Sequence, residues 1–464
     1  MKNLLLLILL SNILIANILN LKIAAKGSYK AESFREKIKL KKGEYMLLSP
    51  RNRAFFNWAK RFKIVELGGI DNPHIASATF KNLGLDDIPY RLGYSWMPAF
   101  YYYVSGNNRE YVKWLYENRD QYTLNPNGPF LHCKKNGYDW CKDFFYNYGD
   151  NLVLESRVAD LKKSMKKRNF NGIFFDWGAG KFYDTKEFAF IKKRFKELNP
   201  KKDYHIQVSK LYKRLKKDGI FFVTNQAFRN AKYLLPYIKY DMTESYITKY
   251  KTQSIRIQLV EVGWKNKIDV SVYYPIYKNS RSIKDSLHFI NLLTKYKNEY
   301  KKFGFKNFIY LNYLAPKYEK VYSFGTLYKE VEPKNGIYFS YAMAKLTDNM
   351  VYAQIPANRK LEMDDIYFYD LGKVSGKNYS KLRPINGYIR FYKNGFVLVG
   401  EAYKGTRYIS LKSSYLPKKG YLFDPYNNVK LPIKDHKVVL KLAYEKDTFT
   451  HKYLPLGRVY LFRW

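Results

Sequence analysis

Apolar and polar positions along the chain fall into two regimes. Between about residues 60 and 320, short apolar runs alternate with stretches whose apolar residues recur every three or four positions. The short runs predict strands at Phe62–Leu67, Tyr90–Met97, Gly128–His132, Gly172–Trp177, Ile220–Asn225, Tyr240–Tyr246, Ile268–Tyr277 and Asn307–Tyr313. Several are apolar without interruption, as in Ile173-Phe174-Phe175 and Ile220-Phe221-Phe222-Val223, which suits strands covered on both faces. Between them, Glu155 to Arg168 places Val158, Leu161 and Met165 on one side with lysines elsewhere; Tyr204 to Lys217 and Ser282 to Lys302 are similar. Repeated strand–helix alternation predicts a parallel sheet. Eight units over this length predict a (β/α)8 barrel of the TIM type across 60–345.

After a connecting segment (346–383) the pattern becomes alternating and rich in turn residues. Tyr388 to Lys393, then Asn394-Gly395, then Phe396 to Val399 reads as a hairpin, because Asn-Gly supplies the positive φ angles of a type I′ turn. Further strands follow at Tyr408–Leu411, Gly420–Phe423, Val438–Tyr444 and Gly457–Arg463. Residues 384–464 are therefore expected to form an antiparallel β-sandwich.

The first segment concerns address. Met1-Lys2-Asn3 precedes a run from Leu4 to Leu21 broken only by Ser11, Asn12, Asn17 and Asn20, and Ala24-Ala25 follow. This predicts a secretory signal peptide over 1–25, with an uncleaved membrane anchor as the alternative. A basic linker (26–59) then leads into the barrel. The working body is expected to be secreted or periplasmic, or tethered by its first segment.

Composition narrows the partners. The 464 residues are 46 % hydrophobic, enough for a sizeable core. They carry 83 Lys and Arg against 40 Asp and Glu, a net charge of +43, which favours polyanionic surroundings. With export, an anionic cell-envelope surface fits that charge better than nucleic acid does. No protein partner is implied. Two cysteines exclude a disulfide-dense mini-domain and a four-Cys zinc site. No His-x-x-x-His or Cys-x-x-Cys pair points to a metal, and no cofactor is expected: Gly178-Ala179-Gly180 lacks the Gly-Lys-Ser/Thr ending of a phosphate loop. Cys133 and Cys141 flank a short loop. They either close it as a disulfide in an oxidising compartment or remain two thiols.

Candidate chemistry sits at strand ends, where a barrel keeps its active residues. Asp176 closes Gly172-Ile173-Phe174-Phe175, Asn225 closes Phe222-Val223-Thr224, and Glu244 lies in Tyr240-Asp241-Met242-Thr243-Glu244. A carboxylate ending an apolar strand is costly to desolvate, so it is paired or functional. Two carboxylates with an amide between them can hydrolyse a glycosidic bond, one protonating the leaving oxygen and the other attacking or activating water. The structural alternatives are that Asp176 caps the following turn, Glu244 pairs with Lys249, and Asn225 is an ordinary loop residue. Aromatic residues at or beyond predicted strand ends offer flat faces for sugars: Trp177 first, then Trp96, Tyr246, Tyr274 and Tyr313. Glu66, Asp71, Asp86 and Asp87 are further acids near the presumed mouth.

These motifs resemble a family. The segment from Phe130-Leu131-His132 through Gly137, then Arg157 to Asp176, is similar to barrel-type glycoside hydrolases related to endo-α-1,4-polygalactosaminidases and their bacterial relatives. They share a strand of glycine, three hydrophobic residues and aspartate after a long helix, a next strand ending in Asn, and a Glu on the strand after it. The resemblance covers about residues 60 to 320. It implies an exported hydrolase of an extracellular or envelope polysaccharide, with Asp176 and Glu244 as a retaining pair and Asn225 beside them. Two departures stand out: Trp177 follows the aspartate where smaller or polar residues are usual, and a +43 body is an odd partner for a cationic galactosamine polymer. A catalytically silent glycan-binding or envelope-associated barrel is the alternative.

Overall fold

The computed structural model describes residues 46–48, 57–70, 85–106, 108–128, 133, 141–244, 247, 249–259, 267–276, 283–314, 316–321, 327–355, 363–448 and 451–463. The expected signal peptide lies outside them. Among the described residues, no helix is long and apolar enough to cross a membrane.

Eight parallel strands form one curled sheet in chain order: β1 (Met46–Leu48), β2 (Ile64–Gly69), β3 (Tyr90–Trp96), β4 (Gly172–Asp176), β5 (Phe221–Asn225), β6 (Tyr240–Glu244), β7 (Asn307–Tyr313) and β8 (Met350–Gln354). The curl brings its ends together. Phe62, just ahead of β2, meets Tyr352 of β8 edge-on with ring centroids 6.0 Å apart, and Trp58 lies 6.4 Å from the same ring. The result is a TIM-type barrel. Its covering helices include Asn151–Lys167, Tyr204–Lys217, Ile283–Tyr300 and Lys334–Lys345. Two of them start on aspartate caps: Asp150 accepts from the backbone of Leu152 and Val153, and Asp203 from that of Ile206. Buried Arg157 ties its helix to β3 by donating to Ser95 Oγ at 2.5 Å.

Of the expected barrel strands, one falls almost wholly outside the described residues and one belongs to another sheet. Residues 129–132 of the Gly128–His132 segment lie outside the described residues, and Gly128 itself is not in a strand. Lys267–Ile276 pairs antiparallel with Lys249–Leu259, and with Leu327–Val331 and Lys317–Val321 it makes a separate four-stranded sheet. The physical reason lies in its pattern. Lys267-Ile268-Asp269-Val270-Ser271-Val272 alternates with period two, which suits a half-solvated antiparallel strand, whereas barrel strands such as Gly172–Asp176 and Phe221–Asn225 are built on apolar runs. The described sheet also contains β1, from the segment expected to be linker, and β8, from the segment expected to be a connection, so it extends past both of its expected boundaries. Met350-Val351-Tyr352-Ala353-Gln354 is buried at every position.

Hairpins follow several strands at their carboxyl ends. Ala99–Tyr103 pairs with Cys141–Phe145 after β3. Cys133 and Cys141 are bridged there, with Cα atoms 5.5 Å apart.

The C-terminal part is one antiparallel sheet of eight strands, Ser380–Leu382 to Leu456–Arg463, folded around a core of its own that includes Phe396, Leu398, Leu422, Leu440 and Tyr460. The hairpin tip is displaced by one residue from expectation. Tyr392 pairs with Gly395, so Lys393 and Asn394 form the tip, and neither Asn394 nor Gly395 has positive φ. The glycine answers a different need: a Cβ at Gly395 would lie 2.0 Å from the carbonyl oxygen of Tyr460 on the neighbouring strand. The sheet packs its other face on the barrel helix Lys334–Lys345. A Cβ at Gly457 would come within 2.2 Å of Phe339 Cα.

Candidate active site

Strand register gathers the polar strand ends. Trp96 pairs with Asp176, Asn225 with Met242, and Leu311 with Glu244, so Asp176, Asn225, Glu244 and Tyr313 share the inner face of the curled sheet at its carboxyl end. Asn225 stands between the acids. Its Nδ2 donates to Asp176 Oδ1 at 2.9 Å and to Glu244 Oε2 at 3.0 Å. Both carboxylates face one nitrogen, so their nearest oxygens are at most about 6 Å apart, and roughly 5 Å apart where each N–H points at its own acceptor. The amide oxygen, turned away, is buried with no hydrogen-bond partner.

Each carboxylate has further donors. Asp176 accepts from Tyr94 Oη at 2.8 Å and from the backbone N–H of Trp177 at 2.8 Å. Glu244 accepts from Tyr313 Oη at 2.7 Å. Burial first, and then the charge of Asp176, hold the Tyr94 phenol well above its ordinary pKa, so it stays a neutral donor. The backbone just beyond two of these strand ends is strained: Trp177 (φ 55°) and Gln226 (φ 64°) both take the left-handed conformation that non-glycine residues avoid.

An outward-facing residue fixes the loop after Asn225. Asp241 on β6 is fully buried and accepts from Thr224 Oγ1 at 2.7 Å and from the backbone N–H groups of Ala227 and Phe228, each at 2.9 Å. Burial pushes its carboxyl up to about 7, against the lowering effect of those three donors.

A cleft of about 450 Å³ opens over Asp176, Asn225 and Glu244, with Trp177, Phe182 and Phe188 on its apolar wall. Trp177 is half-buried there, its ring 5.8 Å from Phe182. The other expected sugar-binding aromatics divide. Tyr313 belongs to the cluster through its hydroxyl. Trp96 is only 1 % exposed and stacks under the site on Tyr101 at 5.4 Å, so its ring offers no face to a ligand. Tyr274 lies on the separate antiparallel sheet and not on a barrel strand. Tyr246 lies outside the described residues, as does Asp71. Asp86 and Asp87 precede β3 and so stand at the amino end of the barrel, opposite the cleft; Glu66 is buried on β2. Asp176 does bind the following backbone N–H, as in a turn cap, but that is one of three donors on it. The side chain of Lys249, the alternative partner for Glu244, is outside the described residues. Tyr94 had no distinguishing sequence signal. No group of three or more His, Cys, Asp or Glu among the described residues could hold a metal ion.

No family model matches the chain, and no curated protein matches it. Solved structures that resemble it include glycoside hydrolases. The glycoside hydrolase domain of PelA from Pseudomonas aeruginosa is 11 % identical over 68 % of this chain and 94 % of that one, with a TM-score of 0.38. The maltogenic alpha-amylase AmyB from Thermotoga neapolitana is 10 % identical over 91 % and 100 %, with a TM-score of 0.41. An alpha-amylase from Anoxybacillus is 8 % identical over 91 % and 98 %, with a TM-score of 0.45. Likeness this low says nothing about the cleft, whose chemistry rests on the geometry of its own side chains.

Proposed function

We propose that the chain is a retaining glycoside hydrolase in which Asp176 is the nucleophile and Glu244 the acid/base. The observation that carries this reading is the single Asn225 amide nitrogen bonded to both carboxylates. Spacing near ~5–5.5 Å suits attack on the sugar by one carboxylate, whereas ~6.5–9.5 Å leaves room for an intervening water. Glu244 gives its proton to the glycosidic oxygen as the Asp176 carboxylate attacks the anomeric carbon and the bond to the leaving group breaks. Glu244 then takes a proton from water as that water attacks the same carbon and releases Asp176. The division of labour follows the contacts: three donors fix the short Asp176 side chain, while the longer Glu244 arm can reach a leaving oxygen. Asn225, Tyr94 and Tyr313 hold the pair, and Trp177 gives the sugar an apolar face.

The substrate we infer is a polysaccharide outside the cytoplasm or in the cell envelope, met by a secreted, periplasmic or membrane-tethered protein. The Cys133–Cys141 bridge supports this, because disulfides persist in oxidising compartments. The likeness to polygalactosaminidase-type enzymes contributes the three strand-end residues and not the sugar. The test is release of new reducing ends from a panel of secreted and envelope polysaccharides, with the anomer of the first product read by NMR. A product of retained configuration supports the reading; an inverted one overturns it.

A further inference from the structure

The C-terminal sheet carries a second feature that the barrel chemistry does not use. Its outer face divides in two. Val397, Val399, Val459, Leu461 and Phe423 press into the barrel core. The same face then runs off the barrel to solvent across the strands Lys419–Asp424, Val429–Lys434, Lys437–Ala443 and Thr406–Lys412. Alternate residues of these strands, such as Leu422, Ile433, Leu440 and Leu411, fill the sheet's own core and fix which side chains point out.

On the open half, Lys419 pairs with Lys434, Lys434 with Lys437, and Lys437 with Lys412. Four lysines thus form one row across four adjacent strands, each the direct cross-strand neighbour of the next. Strands lie about 4.8 Å apart, so the row spans roughly 15 Å. Like charges placed directly opposite destabilise a sheet, and among the described residues none of the four is in an ion pair. A depression of about 650 Å³ is lined by Lys412, Lys434 and Lys437 together with Ser410, Pro432 and Val439, and Asp435 is the one acid in its lining. One step along the strands from the row the surface turns apolar: Tyr421 is 49 % exposed and Val439 53 %, and Tyr408, a step further, is 68 %.

We propose that this row is a binding site for an acidic polysaccharide, a chain of sugars bearing carboxylates. Evenly spaced cations match the repeat of charges along such a chain, and the neighbouring Tyr, Pro and Val surface matches the apolar faces of its rings. A single row of four cations, one per strand, suits a single polymer chain better than the broad plane of a bilayer. The site rests on strand register alone, so it stands or falls apart from the barrel's activity.

The test uses the full chain and soluble polygalacturonate, with dextran as neutral control and phosphatidylglycerol vesicles as the competing anionic surface. Binding is read by calorimetry at low and moderate salt. Wild type should bind polygalacturonate and not dextran, more weakly as salt rises. K434E/K437E should weaken binding at least tenfold, while K193E/K196E, the same charge change on the exposed barrel helix Ala189–Leu198, should not. A raised or unchanged melting temperature of K434E/K437E shows that the loss is not unfolding, and relief of repulsion predicts the rise. Equal loss in both double variants, no loss in the first, or tighter binding to the vesicles than to the polymer would overturn the proposal.

Discussion

One nitrogen atom organises the candidate site. Asn225 Nδ2 reaches both carboxylates, and its amide oxygen is left without a partner. That cost is tolerated where the bridge positions charge. Asn225→Ala should lower turnover roughly tenfold to a thousandfold, the upper part being the range for losing a donor aimed at developing charge and the lower end a weaker role than that. Unchanged kinetics would make it a structural residue. The phenols act one step out. Tyr94→Phe and Tyr313→Phe each remove a donor to a carboxylate, worth about 1.5–3 kcal/mol, so kcat/KM should fall about tenfold to a hundredfold. A change in melting temperature with kcat and KM both intact would assign them to packing alone. Asp176, Asn225 and Glu244 were legible because a polar residue closing an apolar strand is conspicuous. Tyr94 was not: it is one of 47 tyrosines, and only register shows it on the same face as Phe174 and Asp176. Trp96 misled for the same reason, since a strand-end ring reads alike from sequence whether it faces the cleft or packs beneath it.

At the scale of elements, Asp241 links strand to loop. It holds the backbone of Ala227 and Phe228, just past Asn225, from the outer side of β6. Its carboxyl is pushed up to about 7 in the fold, against about 3.9 in an unfolded chain. The folded state therefore binds the extra proton between those values. The stability this contributes is fully present below about pH 4, falls as pH rises through about 7, and is constant above; it is on the order of a few kcal/mol. Melting temperature measured from pH 4.5 to 8 should decline in wild type relative to Asp241→Asn, which removes the titration. Parallel curves for the two proteins would contradict the assignment. Strand type was legible where the two periods were kept apart. Continuous runs gave β4, β5 and β7 within a residue or two, but alternation over Ile268–Tyr277 marked an antiparallel hairpin, and Met350–Gln354, the last barrel strand, fell in the segment expected to be a connection. The Asn394-Gly395 tip failed because a glycine required by a close neighbouring strand looks, in sequence, like one required by a turn.

Across the whole molecule, barrel and C-terminal sheet share one core through the helix Lys334–Lys345. Arg458, fully buried, donates to Asn335 Oδ1 at 3.2 Å across that junction, and Asn335 in turn donates to the carbonyl of Pro455 at 2.9 Å. Gly457→Ala forces a methyl against Phe339 and should destabilise the junction by about 1–3 kcal/mol. Denaturant unfolding is expected to remain a single transition at a lower midpoint; an unchanged midpoint would show that the two parts are not packed as described. Two-part organisation was legible from the change of period near the C-terminus, whereas the lysine row was not, because its members are far apart in sequence and meet only through strand pairing.

The central claim is that Asp176 and Glu244 perform hydrolysis together. The direct measurement is the rate of reducing-end release from a polysaccharide that the wild type cleaves, by Asp176→Asn and Glu244→Gln, each with unchanged circular dichroism and melting temperature. Both variants should lose at least about a hundredfold in kcat, the lower bound for a positioned acid or base. Either variant cleaving at the wild-type rate would contradict the account.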